Sequence, residues 1–280
     1  MKAVIPAAGF GTRLLPATKS QPKEMLPVYD KPAIQHVIEE AKASGIDDIL
    51  IVTGRNKRSI EDHFDKSYEL EYTLQKSGKD RVLKQVRKIT DLADVCYVRQ
   101  KDINGLGDAI ACAERHIAGE PFAVLLGDSI TRSKTPLTKQ LIDVFNQKNA
   151  SAIAIREVSS DRINRHGIAE ASQISDDLYK ISNLVEKPNP EDAPSNLAVV
   201  GRYVLTPDVF DKIRDTEPGF NGEVQLTDAL AKLDEIYGLK FAGDVFNIEN
   251  RLEWLKSSIE FALGDDEFKD DLIDYMKTFM

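Results

Sequence analysis

Apolar residues fall into two rhythms along the first half of the chain. Short, near-continuous runs, KAVIP (2–6), DILIVT (48–53), VCYVR (95–99) and FAVLLG (122–127), have the length and β-branched content of strands covered on both faces. Between these runs the apolar positions recur three and four residues apart. PAIQHVIEEAKASG sets Ile34, Val37, Ile38 and Ala41 on one helical face, with Pro32 in the first turn and Gly45 as the stop. GDAIACAERHI (107–117) repeats the helical spacing. Strands alternating with helices predict an α/β fold, a doubly wound, Rossmann-like sheet that is mixed but mostly parallel.

From Ser151 the strands crowd together. SAIAIREV (151–158), GIAEAS (167–172), LYKISNLVEK (178–187) and LAVVGRYVL (197–205) read as close-set strands, a β-rich second half. After Pro207 the pattern predicts a helix, a loop around PGFNGE and a second helix over 226–236. Two amphipathic helices close the chain, and Phe268, Leu272, Tyr275, Met276 and Phe279 form one stripe on the last. The highly charged segment 55–93 keeps a helical pattern in YELEYTL and RVLKQVRKI, so it reads as an excursion from the sheet. With no repeat, low-complexity tract or linker, one compact unit over 1–280 is expected, divided near 150 and 249.

Charge narrows the chemistry. Among 280 residues, 42% are hydrophobic and 30% charged, enough for a large core, and the net charge is -9. An acidic balance argues against nucleic acid or an anionic membrane surface as partner, so any phosphate must be held in a local basic pocket. Cys96 and Cys112 lack metal-ligand spacing and read as inert, buried thiols. His36, His63, His116 and His166 are scattered and suggest no zinc site. No apolar run approaches the ~20 residues of a membrane span and the opening lacks a secretory pattern, so a cytoplasmic protein is expected.

The first strand runs directly into AAGFGTR (7–13). Glycine tolerates positive φ and lets a ligand approach bare backbone, and a strand–loop–helix turn aims several N–H groups at one anion. Neither G-x-x-x-x-G-K-[ST] nor G-x-G-x-x-G is present, since Leu14 occupies the third glycine position. Thr12 and Arg13 within the loop and Lys23 beyond it point instead to a polyphosphate cradle.

Together with LLPATKSQPKEMLPVYDKP, this loop resembles the signature of the sugar-phosphate nucleotidyltransferases, G-x-G-T-R followed by P-K and a leucine–proline pair. SIEDHFDKSYELEYTL, VRQKDINGLGDAI, LVEKPNPEDAPSNLAVVGRYVL and GEVQLTDAL resemble, more narrowly, the bacterial-type UTP–glucose-1-phosphate uridylyltransferases along almost the whole length. The resemblance implies the nucleotide-diphospho-sugar transferase type of fold, UTP and glucose 1-phosphate as substrates, Mg²⁺ as cofactor, and a homodimer or homotetramer. It implies that Ala8, Gly9, Gly11, Thr12 and Arg13 hold the nucleotide, that Gln100 and Gly105 read and admit the base, and that Lys23 reaches the reacting phosphates. Asp128 matches the metal ligand, and Gly167, Glu186, Lys187 and Val199 match the sugar and sugar-phosphate positions.

Read without the resemblance, Gln100 is an exposed strand-end residue and Glu186–Lys187 a solvated charge pair. Asp128 directly follows a buried strand, the edge where ligands of open α/β sheets collect. Glu223 reads as a helix-start acid that orders a loop. Late in the chain NIENRLEW departs from the family's D-x-G-x-x-x-G-[YW], so Asn247 replaces a second metal carboxylate while Glu249 and Glu253 replace glycines. Asp244, three residues earlier on a strand, would face the other side. A thymidylyltransferase and a non-catalytic nucleotide-sugar sensor stay open at this point, because one methyl group separates uracil from thymine.

Overall fold

The computed structural model describes residues 1–279. All eight apolar runs named above form strands. In chain order the strands are β1 (Lys2–Ala7), β2 (Pro27–Val28), β3 (Lys31–Pro32), β4 (Asp48–Thr53), β5 (Asp94–Arg99), β6 (Phe122–Leu125), β7 (Ser129–Arg132) and β8 (Ser151–Glu157). They continue as β9 (Gly167–Gln173), β10 (Leu178–Glu186), β11 (Leu197–Leu205), β12 (Ile236–Lys240) and β13 (Asp244–Asn247). The helices are α1 (Ala33–Ala43), α2 (Arg58–Phe64), α3 (Tyr68–Lys76), α4 (Asp80–Thr90), α5 (Leu106–Ala111) and α6 (Glu114–Ile117). After them come α7 (Leu137–Lys148), α8 (Val209–Arg214), α9 (Leu226–Leu230), α10 (Arg251–Ala262) and α11 (Lys269–Lys277).

Nine strands make one mixed sheet in the order β5-β4-β1-β6-β11-β8-β12-β10-β9. β5, β4, β1 and β6 are parallel, but β11 joins antiparallel to both β6 and β8, and β9–β10 and β10–β12 are antiparallel too. The expectation of a mostly parallel sheet is therefore corrected. Parallel neighbours need a long crossover, and the second half joins β9 to β10 by a short turn that reverses the chain. Strand alternation divides the core. Val4, Leu50 and Val124 face one cluster with Ile110, Phe210 and Leu230. Ala3, Ile5 and Ile51 face another with Ile34, Val37 and Leu141.

Three further expectations change. The helix predicted over 226–236 stops at Leu230, and Ile236–Lys240 is a strand between β8 and β10. Gly238 disguised that strand; a Cβ there would lie 2.8 Å from Ile155 Cδ1. The helix over 107–117 divides into α5 and α6. β5 is the sheet's edge, so Cys96 is exposed and Cys112 only half-buried, not the pair of buried thiols expected. α2, α3 and α4 bear out the helical excursion. Tyr275 and Met276 on α11, and Phe268 and Phe279 flanking it, are exposed. Among the described residues, no helix is long and apolar enough to cross a membrane.

Candidate active site

The glycine loop leaves β1 and tightens into a single turn over Thr12–Leu14. Leu14, only 2% exposed, anchors the turn among Leu26, Val28, Ile130 and Ile248. Gly11 adopts φ 65°, and its missing side chain matters: a Cβ would lie 3.2 Å from Lys23 Cβ. Thr18 Oγ1 donates to Gly11 O at 2.8 Å, closing the loop beneath. Gly9 has nothing within 4 Å of the Cβ position, so this backbone is open to a ligand. Gly11, Thr12, Arg13, Lys23, Asp128 and Glu249 line one cavity of about 180 Å³.

Lys23 Nζ donates to Asp128 Oδ2 at 2.5 Å, joining the residue after the loop to the end of the β6 edge. Burial opposes the charge on each, but their attraction prevails: Asp128 titrates below the ordinary carboxylate range, and Lys23, with Glu24 also nearby, above the ordinary lysine range. Below them, Lys57 Nζ donates to Glu24 Oε2 at 2.9 Å in a buried pair that fixes the turn carrying Lys23.

A larger cavity of about 350 Å³ shares Asp128 and Glu249 with the first and contains Gly167, Glu186, Lys187, Val199, Glu223 and Asn247. Gly167 and Glu186 are partners across β9 and β10. Glu186 is held at both oxygens: Lys187 Nζ donates to Oε1 at 2.6 Å and Thr227 Oγ1 to Oε2 at 2.7 Å. Lys187 takes φ 46°, a left-handed conformation that costs a non-glycine residue ~1–2 kcal/mol and is often retained at functional sites. Its ammonium also lies 5.1 Å from the Phe220 ring centre. Arg156, Arg162, Arg165 and His166 make the far wall basic. Burial, then these arginines, pushes His166 below its ordinary value.

The structure therefore brings Gly11, Thr12, Arg13, Lys23 and Asp128 together, and Asp128 with the four sugar positions. Ala8 is buried at the end of β1. Gln100 is not the exposed residue that its sequence position alone suggests; it is 3% exposed and donates to Gly105 O at 3.2 Å and Asp108 Oδ2 at 2.6 Å. Beside Gly105, at φ 111°, the Cβ position lies 2.6 Å from Val224 O, so the bare α-carbon admits this backbone segment. Glu223 precedes α9 and does not enter its first turn; it accepts from Gln225 Nε2 at 3.4 Å. Asn247 lines the larger cavity, whereas Asp244 pairs with Arg132 at 2.8 Å, outside both cavities described. Thr227, Phe220 and the arginines were not singled out in the sequence, because segments distant from one another along the chain deliver them. Glu249, which in the sequence only replaces a glycine, faces Asp128 here: burial, then Asp128, raises its carboxyl above the ordinary value.

The glycine loop and a carboxylate–lysine pocket thus meet at one ion pair, Lys23–Asp128. The chain belongs to the nucleotidyl transferase family, whose model matches residues 2–243. UTP–glucose-1-phosphate uridylyltransferase 2 of Staphylococcus saprophyticus is 50% identical over 279 residues, 99% of this chain and 96% of its own length. A UDP-glucose pyrophosphorylase solved with UDP-glucose superposes with a TM-score of 0.86 at 43% identity, covering 94% of this chain and 99% of its own. A UTP-bound UGPase from Acinetobacter baumannii gives 0.90 at 35% identity, with 98% of each chain covered. Within the family, the chain thus groups with the UTP–glucose-1-phosphate uridylyltransferases.

Proposed function

We propose that the protein transfers a uridylyl group from UTP to glucose 1-phosphate, releasing UDP-glucose and pyrophosphate. The observation that carries this reading is that the two cavities meet at Asp128, which lines both, while its ion-pair partner Lys23 lines the one beside the glycine loop. A phosphate oxygen of glucose 1-phosphate attacks the α-phosphorus of UTP as the bond from that phosphorus to the oxygen bridging the α and β phosphates breaks, that oxygen leaving with pyrophosphate. Such a transfer asks for alignment and charge neutralisation more than for covalent chemistry. Arg13 neutralises departing pyrophosphate and Lys23 the reacting phosphates. Lys187 holds the sugar phosphate, Glu186 accepts from sugar hydroxyls, and Gly167 and Val199 shape the pocket around them. Ala8, Gly9, Gly11 and Thr12 cradle the triphosphate, and Gln100 and Gly105 fix the base.

The donors fit a magnesium ion. Magnesium takes oxygen ligands from one or two carboxylates plus phosphates and water, with no all-protein cage. Asp128 and the Asn247 amide supply oxygen donors, and no group of three or more His, Cys, Asp or Glu is arranged for a metal among the described residues. When bound, the ion neutralises negative charge on the nucleotide phosphates. We read residues 1–150 as a Rossmann-like nucleotide half, 151–249 as the sugar half and 250–280 as the C-terminal helices of one domain. The exposed stripe of α11 favours a homodimer or homotetramer.

Pyrophosphate release measured with UTP or dTTP against several sugar 1-phosphates tests the reading. UTP with glucose 1-phosphate is expected to give the highest kcat/KM. A higher value with dTTP would make the protein a thymidylyltransferase, and no turnover with any pair would make it a sensor.

A further inference from the structure

Arg202, on β11, has no solvent exposure and heads the largest fully buried side chains among the described residues. Its Nε donates to Glu40 Oε1 and Oε2 at 3.1 and 3.0 Å, and its Nη2 to Glu40 Oε2 at 2.8 Å. Glu40, on α1, also accepts from Thr138 N and Oγ1 at 3.1 and 2.6 Å and from Thr131 Oγ1 at 2.7 Å. This knot joins α1, α7, β7 and β11. Stability alone explains it poorly, since a buried ion pair is often matched or exceeded in stability by a well-packed apolar pair of the same volume.

Beyond Glu40, the guanidinium reaches two backbone carbonyls. Nη1 donates to the adjacent Gly201 O at 3.1 Å, and Nη2 donates to Ser129 O at 2.7 Å, on the residue after Asp128. Asp128 sits between β6 and β7, outside any regular element, so separate contacts must fix its turn. Leu126 N donates to Gly201 O at 3.1 Å, and Ile248 N donates to Asp128 O at 2.8 Å. Gly201 itself, at φ 74°, makes room for Leu126, which would lie 2.8 Å from a Cβ. Beside the turn's own Ser129 N to Leu126 O bond, two of these backbone ties thus come from Gly201–Arg202, on the strand that also brings Val199 to the larger cavity.

We infer that Arg202, braced by Glu40, is a positioning residue for Asp128: it sets the carboxylate between the two cavities while lining neither. The inference rests on the proposed reading of Asp128 as the metal ligand. Outer-shell partners of metal ligands typically govern ~10–100-fold in affinity or activity. Arg202→Lys keeps the positive charge opposite Glu40 but loses the planar fork needed to reach Glu40 and Ser129 O together. It is expected to weaken Mn²⁺ binding to the UTP-loaded protein, followed by electron paramagnetic resonance, by ~10-fold, and to lower kcat similarly. KM values for both substrates at saturating metal should change little. Glu40→Gln keeps the shape and should move both quantities the same way by a smaller factor. Thr138→Val removes one tie to Glu40 away from Ser129 and should lower Tm alone. Wild-type Mn²⁺ affinity and kcat in folded Arg202→Lys or Glu40→Gln would overturn the inference. So would an equal shift in Thr138→Val, since the knot would then only hold the fold. Asp128→Asn separates the two levels: undiminished Mn²⁺ binding there removes the underlying reading and the inference with it, whereas lost binding beside unchanged Arg202→Lys removes the inference only.

Discussion

Gly167→Ala should damage sugar binding through Thr227 on α9, two strands and a helix further along the chain. The new Cβ would lie 2.9 Å from Thr227 Oγ1, 3.1 Å from its Cγ2 and 3.3 Å from Glu186 Oε2. Ordinary contact begins near 3.4 Å, so Thr227 has to retreat by about half an ångström. Its 2.7 Å hydrogen bond to Glu186 Oε2 cannot survive that movement unchanged. A hydrogen bond to a charged group contributes ~1.5–3 kcal/mol, and ~1.4 kcal/mol is tenfold in an equilibrium constant. Glu186, now held only by Lys187, should present its oxygens to the sugar less well, and KM for glucose 1-phosphate should rise ~10–100-fold with KM for UTP little changed. A double-mutant cycle in the pyrophosphate-release assay isolates the route. Thr227→Ala removes the obstructed atoms, so adding Gly167→Ala to it should cost less than about threefold. If the methyl is as harmful in that background as in the wild type, it obstructs the sugar directly and the role given to Thr227 is wrong.

Lys23→Ala should lower kcat by ~10²–10³, the usual effect of removing a group that stabilises developing charge, whereas Lys187→Ala should mainly raise KM for glucose 1-phosphate. Equal KM changes for both substrates would contradict that division. Asn247→Asp replaces an amide dipole with a full charge and should lower the Mg²⁺ concentration giving half-maximal rate at fixed UTP; an unchanged Mg²⁺ dependence would place Asn247 away from the metal. Glu249 carries a carboxyl raised by burial and by Asp128, so its contribution to stability is fully present below the ordinary value of 4.5 and lost as pH rises through the raised one. Glu249→Gln escapes that loss, so its Tm should exceed the wild type's at pH ~8 and converge with it below pH ~4.5; a gap that grows on acidification would show the sign to be reversed.

Local signals account for what the sequence made legible. Apolar runs such as DILIVT and LAVVGRYVL needed no partner to be recognised as strands, and the glycines after the first strand marked a tight loop. What stayed hidden depends on neighbours. Cys96 looked buried because VCYVR is apolar, but sheet order places that strand at the edge. Ile236–Lys240 was missed as a strand, the expected helix running on to 236, because Gly238 interrupts the strand signal, and that glycine serves the packing of Ile155. Gln100 looked exposed until Gly105 and Asp108 folded over its amide. The knot between Glu40 and Arg202 spans 162 residues, a separation across which no local periodicity carries information.

The position of β11 decides how the chain can be divided. Although the proposed nucleotide half ends near residue 150, its strand β6 completes its pairing with a strand from beyond 196, and that strand alone links β6 to β8. A fragment ending at residue 150 would leave Phe122–Leu125 as a bare apolar edge, an invitation to aggregate. It would also leave Glu40 buried without Arg202, and an orphaned partner of a buried pair costs ~3–5 kcal/mol. The two halves proposed here are therefore not two folding units. A break in the loop near residue 150 leaves every tie between them in place, so the chain can be nicked there but not parted, and pieces made separately would gain their structure only from each other.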